Sequence, residues 1–272
     1  MDVKELERNL IKKYRKKIWV PFVKGICEYK LIEENDKIAV CISGGKDSFI
    51  LAKCMQEIKR HGKINFDLEF IVMNPGYRKE NIDKIIENAK LLNIPIKIFD
   101  SNIFEVAYKA SGTPCYLCAR MRRGFLYDKA KSLGCNKIAL GHHYDDVLET
   151  ILLNIFYAGE IKTMMPKLKS TNFDNMELIR PLYLVKERDI INFKNYHNLD
   201  FLNCACKFTE ESDKESLSKR KEIKQLIEKY RKINKHVEDN IFSSVSNINL
   251  DTVISYKKNN IKYNFLDDYK EE

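Results

Sequence analysis

The hexapeptide Ser43-Gly-Gly-Lys-Asp-Ser48 packs two hydroxyls, two glycines, a lysine and a carboxylate into consecutive positions. Glycines let a backbone turn tightly and approach a phosphate closely. Helix N-terminal amides and a lysine supply the positive potential that a phosphate needs. The spacing differs from a Walker A loop, which places its lysine after four variable residues and a glycine. A plain turn has no use for Lys46, Asp47 and two serines in this arrangement.

Two further groups carry chemistry. Cys115 and Cys118 stand three apart after a proline, so a helix there brings both sulfurs to one side. A helix N-terminus with Arg120, Arg122 and Arg123 nearby favours the thiolate. Together with Cys204 and Cys206 the set suits a structural zinc site or an iron–sulfur cluster, and spacing does not separate the two. In Gly141-His-His-Tyr-Asp-Asp146, Asp145 and Asp146 are candidates to hold Mg²⁺ on ATP phosphates or to orient a leaving group. His142 and His143 are adjacent and point in different directions, which favours packing against ATP or the loop over metal ligation.

These residues need a scaffold that brings them together. Lys37-Ile-Ala-Val-Cys-Ile42 reads as a buried parallel strand, and a helix with Leu51, Cys54, Met55 and Ile58 on one face follows the hexapeptide. Further strands are expected at 66–73, 95–99, 137–140 and 177–182, with helices between them. The alternation predicts an α/β fold: an open parallel five-stranded sheet covered by helices on both faces. The Gly141 loop then leaves the fourth strand at its C-terminal end, where ligands of such sheets bind. The helix carrying Val147, Leu148, Ile151, Leu152, Ile155 and Phe156 is apolar on most faces and is expected to be deeply buried. We divide the chain into a helical lead-in (1–34), the nucleotide domain (35–200) and a C-terminal segment with a helical appendage (201–272).

Composition narrows the class. The 272 residues are 44% hydrophobic and 32% charged, with too little Gly and Pro for a collagen-like or low-complexity chain. No apolar run approaches the roughly 18 residues of a membrane span. The charged N-terminus has no signal-peptide core, which predicts a cytoplasmic protein without a membrane partner. Eight cysteines in that compartment do not form a disulfide framework; Cys27, Cys41, Cys54 and Cys135 read as small core residues. The net charge of +9 favours a nucleic-acid partner, unless lysine is simply abundant in the source genome. Lys12, Lys13 and Arg15 in the lead-in and Arg122 and Arg180 further on are the candidate contacts.

The hexapeptide resembles the SGGxDS pyrophosphate loop of the ATP-pyrophosphatase (PP-loop) group, which activates substrates by adenylation. Pro114-Cys-Tyr-Leu-Cys-Ala-Arg-Met-Arg-Arg-Gly124, Ile138-Ala-Leu-Gly-His-His-Tyr-Asp-Asp146 and Ile179-Arg-Pro-Leu182 narrow the match to the tRNA 2-thiocytidine synthetase family, from about Lys37 to Phe208. That resemblance implies an adenine nucleotide alpha-hydrolase-like fold and an ATP site of Ser43, Gly44, Gly45, Lys46, Asp47, Ser48, Met73, Gly141 and Asp145. Catalytic roles fall to Lys46, Asp47, Asp146 and Arg123. It implies a [4Fe–4S] cluster on three cysteines, assigned here to Cys115, Cys118 and Cys206. The family carries a second CxxC where this chain has Cys204-Ala-Cys206, so Cys204 stands as the substitute. The implied reaction is ATP- and Mg²⁺-dependent replacement of a cytidine 2-oxygen in tRNA by sulfur. A cysteine desulfurase or inorganic sulfide would donate the sulfur, and a homodimer is compatible. The rival readings are uridine thiolation, lysidine synthesis, for which the paired cysteines have no use, and a non-catalytic tRNA-binding module with structural zinc.

Overall fold

The computed structural model describes residues 2–109, 114–202, 214–267 and 269, with side chains at all of these except 108, 114–116 and 214–218. Its main sheet contains β1 Lys37–Ile42, β2 Asp67–Asn74, β3 Ile96–Asp100, β4 Lys137–Ala139, β5 Lys167–Lys169 and β6 Glu177–Ile179. The spatial order is β3-β2-β1-β4-β6-β5. All neighbours pair in parallel except β5, which runs antiparallel to β6. The five expected strands are therefore present, and β5 is an addition. Its Lys-Leu-Lys sequence has no apolar run, because an antiparallel edge strand is free to face water.

Around the sheet lie α1 Val3–Ile11, α2 Val20–Glu28, α3 Lys46–His61, α4 Lys79–Leu91, α5 Ile103–Lys109, α6 Pro114–Ser132, α7 Tyr144–Leu153 and α8 Glu187–Tyr196. The pleat of β1 explains how both faces are covered. Ile38, Val40 and Ile42 join one core with Phe22, Phe49, Leu51 and Phe193. Ala39 and Cys41 point the other way, into a second core with Tyr127, Ala130 and Ile138. At the other end of the strands, the fully buried Lys137 ammonium meets Asp36 at 2.7 Å and Glu33 at 2.8 Å. Asn136 Oδ1 accepts the Lys37 amide at 2.8 Å. Removing one side of such a buried ion pair costs about 3–5 kcal/mol. This network holds the N-terminal ends of β1 and β4 in register, so their C-terminal ends open side by side.

Two expectations about burial are corrected. Cys27 is exposed on α2 rather than a core residue. In α7, Val147, Leu148 and Ile151 are fully buried, but Ile155 and Phe156 are exposed. A π-helical turn at Asn154–Ala158 follows α7 and ends at Gly159 in the left-handed region. The extra residue per turn breaks the 3.6-residue period that places those side chains inward.

The chain divides into two compact units, Met1–Val147 with Met164–Lys219, and Leu148–Thr163 with Arg220–Glu272. The first holds the main sheet. Long helix α9 (Lys214–Ile233) runs into the second, which also holds α10 (Val237–Ser243) and a hairpin of β7 (Ser255–Lys258) and β8 (Ile261–Asn264). Of the apolar stripe on α9, Ile223 and Ile227 are buried, while Tyr230 and Ile233 are exposed. Among the described residues, no helix is long and apolar enough to cross a membrane.

Candidate functional site

Strand order reverses between β1 and β4, which makes the crevice beyond their C-terminal ends the topological switch point. The Ser43–Ser48 loop leaves β1 there and the Gly141 loop leaves β4. Gly44 has φ +93°, and a Cβ on it would lie 2.8 Å from Leu202 Cδ1, so glycine is required. Ser48 Oγ donates to the Gly45 carbonyl at 2.9 Å and accepts the Ser43 amide at 3.2 Å. The second serine therefore braces the turn from inside. Gly141 lets the two loops touch, since a Cβ there would stand 3.0 Å from Ser48 N and 3.1 Å from Asp47 C.

A cavity of about 400 Å³ opens between these loops and α6. Ser43, Asp47, Met73, Arg122, Arg123 and Asp146 are among its walls. Arg122 and Arg123 enter from α6, and Arg122 donates to Tyr77 Oη at 3.4 Å. Its volume and mixed lining suit a nucleotide-sized anion.

Lys46 does not line this cavity. Its Nζ lies 3.1 Å from Asp47 Oδ2 and 3.0 Å from Glu187 Oε1, the first residue of α8. Burial pulls the Lys46 pKa down, but Asp47 and Glu187 outweigh it and hold the ammonium above the usual lysine value. Asp47 shifts the other way. Burial raises its carboxyl above the ordinary range despite His143 and Lys46. The asymmetry follows from the geometry. Lys46 has two carboxylates, whereas Asp47 Oδ1 is buried with no hydrogen-bond partner among the described residues. His143 Nε2 is 3.8 Å from that oxygen.

His143 and Asp146 cap α7 reciprocally: Asp146 Oδ2 accepts the His143 amide at 3.0 Å, and His143 Nδ1 accepts the Asp146 amide at 3.3 Å. Asp145 is buried, lies outside the cavity lining, and accepts the Glu187 amide at 2.6 Å. Glu187 is the residue that sequence reading missed. It stands 141 positions from Lys46, and its only signal was a carboxylate in the first turn after the last parallel strand.

The structure does not bring the nucleic-acid candidates together. Lys12 and Arg15 border a separate apolar cavity with Trp19 and Ile58, and Lys13 Nζ lies 3.3 Å over the Tyr196 ring. Arg180 is buried and its guanidinium donates to the Met165 carbonyl, while Nε has no partner among the described residues. Burial and then Arg123 push its pKa down to about 10.

Cys204 and Cys206 lie outside the described residues, and so does the side chain of Cys115. Cys118 is buried beside Met73, Ile103, Phe104 and Ala107. A soft sulfur donor in an apolar shell, three residues from a second cysteine on α6, fits an iron–sulfur cluster. The orphaned Asp47 oxygen fits a hard cation arriving with a polyphosphate.

Comparison with known proteins bears on this geometry. Residues 9–229 match the PP-loop domain model. The chain is 33% identical over 228 residues to the tRNA-cytidine(32) 2-sulfurtransferase of Pelobacter propionicus, covering 83% of each protein. It is 36% identical over 244 residues to tRNA-cytidine(32) 2-sulfurtransferase 1 of Francisella philomiragia, covering 88% of this chain and 92% of the relative. Among solved structures, the U34-tRNA thiolase NcsA from Methanococcus maripaludis, determined with its [4Fe–4S] cluster, superposes with a TM-score of 0.66. The match is 23% identical and covers 84% of this chain and 76% of that one, which shows a common fold.

Proposed function

Because the chain belongs to the PP-loop family and, within it, to the tRNA-cytidine(32) 2-sulfurtransferases, we propose that it thiolates C2 of a cytidine in tRNA at the expense of ATP. The observation that carries this reading is the cavity at the switch point, with the pyrophosphate loop on one wall and the α6 arginines on the other. ATP enters with its β- and γ-phosphates on the Ser43–Ser48 amides, and Met73 borders the nucleoside. Lys46 exchanges its carboxylate partners for phosphate oxygens. Asp47, through its orphaned Oδ1, and Asp146 would hold the Mg²⁺ carried with ATP, which would offset phosphate charge.

The cytidine 2-oxygen attacks the α-phosphorus, and the bond to pyrophosphate breaks. Lys46, Arg123 and the loop amides stabilise the charge that develops on the leaving group. Sulfur then adds at C2 and AMP departs with the original oxygen. Cys115, Cys118 and Cys206, with Cys204 as the substitute, would hold a [4Fe–4S] cluster, which would supply the sulfur nucleophile. Asp145 acts at one remove, by fixing the start of α8 and with it Glu187. Arg122 approaches the RNA from the cavity side and Lys12, Lys13 and Arg15 from the lead-in, whereas buried Arg180 braces the Met165 backbone rather than facing the RNA, and the reaction takes place in the cytoplasm.

Lys46→Ala tests the assignment. Pyrophosphate release in the presence of tRNA should fall by about 10²-fold or more, the loss seen when one preorganised charge partner is removed. Binding of tRNA to the same variant should be unchanged. Wild-type release rates in Lys46→Ala would remove the loop from the mechanism.

A further inference from the structure

Hairpin β7–β8 lies beyond the family match, which ends at residue 229, and no role at the ATP site accounts for it. Its turn is Asn259-Asn260, with φ +53° and +65°. Left-handed conformations at both central residues make the tight two-residue connection whose twist matches the flanking strands, and asparagine tolerates them. The register is therefore fixed. Tyr256 sits opposite Tyr263 and Lys257 opposite Lys262.

The tyrosine rings stack at 5.0 Å with 12° between their planes. Side chains alternate along a strand, so Lys257 and Lys262 share the face away from the tyrosines. Asp267 Oδ2 accepts the Asn264 amide at 2.7 Å and closes the open end. This is a preorganised element, not a loose tail.

Its charge is the informative feature. From Val253 to Tyr263 there are three lysines and no carboxylate. Lys257, Lys258 and Lys262 are exposed, and none has an ion-pair partner among the described residues. Glu160 feels Lys257 only at a distance, behind its own ion pair with Lys162. Like charges directly opposite each other destabilise a strand pair. A rigid hairpin that places two unpaired ammonium groups on one face, in a chain of net charge +9, is complementary to closely spaced anions.

We propose that the Lys257–Lys262 face of this hairpin is an auxiliary RNA-binding element that holds backbone phosphates of the substrate tRNA. The proposal rests on the tRNA reading above and adds to it a contact outside the catalytic unit. A polyribonucleotide suits the face because its phosphates repeat, so two lysines held in register engage it together.

Titration of a tRNA transcript against the full-length protein over a salt series tests this. Each phosphate contact contributes roughly 0.7–0.9 to the slope of log affinity against log salt. Lys257→Gln/Lys262→Gln should flatten the slope by roughly 1.5 and weaken binding about tenfold at low salt. Lys257→Arg/Lys262→Arg, which keeps the charge, should bind as the wild type does. So should Lys63→Gln/Lys90→Gln, which removes equal charge elsewhere.

Unchanged affinity and slope in the glutamine variant, with wild-type protein binding tRNA normally, would overturn the hairpin role alone. Aggregation of that variant with unchanged tRNA affinity would do so too, and would assign the lysines to guarding the strand edges. An equal loss in the Lys63/Lys90 control would assign the effect to overall charge and overturn the proposal. Wild-type protein that fails to bind tRNA at all would overturn the tRNA reading itself.

Discussion

Asp47 concentrates the tension between stability and function in one side chain. Its folded pKa lies above the ordinary aspartate value, with burial as the largest cause. A carboxyl of that kind stabilises the fold when neutral, and the contribution is lost as pH rises from about 4 through the raised value. Once ionised, Asp47 works against folding. Asp47→Asn should raise the melting temperature by about 3 °C, near 1 kcal/mol, while abolishing ATP-dependent turnover. A lower melting temperature, measured by calorimetry at pH 7, would show that the Lys46 pair outweighs burial. At this scale the sequence was legible wherever function is local. Six consecutive residues were read as a phosphate loop, and they do lie between strand β1 and helix α3, the setting that reading requires. Glu187 was not legible, because nothing near it in sequence shows that α8 begins beside Lys46.

Elements were readable where burial imposes a period. Strands β1 to β4 and β6 stood out as short apolar runs because both faces of a parallel sheet are covered. Edge strand β5 and the π-helical turn after α7 lack that imprint, and that turn reversed the expected burial of Ile155 and Phe156. Gly141 shows what motif reading alone misses. Sequence placed it at ATP, and it does line the cavity, but the geometry also makes it the contact point between two loops. Gly141→Ala should push the first turn of α3 aside at a cost of about 1–3 kcal/mol. Displacement of the phosphate loop should raise the KM for ATP roughly tenfold with a smaller change in kcat. An unaltered KM with normal stability would mean the backbone there yields freely.

On the scale of the whole molecule, the residues we propose as catalytic lie in the unit built on the main sheet, and the lysine-faced hairpin lies in the other. Net charge hinted at an anionic partner, but only the pairing register shows which lysines share a face. The central claim is that these parts serve one reaction, the conversion of a tRNA cytidine to 2-thiocytidine. Mass spectrometry of tRNA nucleosides tests it most directly, comparing a strain lacking this protein with strains complemented by wild type, Lys46→Ala or Cys118→Ala. We predict that 2-thiocytidine disappears in the deletion, returns with the wild type, and stays absent with either variant. A deletion strain that keeps its full 2-thiocytidine content, and loses no other thiolated nucleoside, would contradict the account.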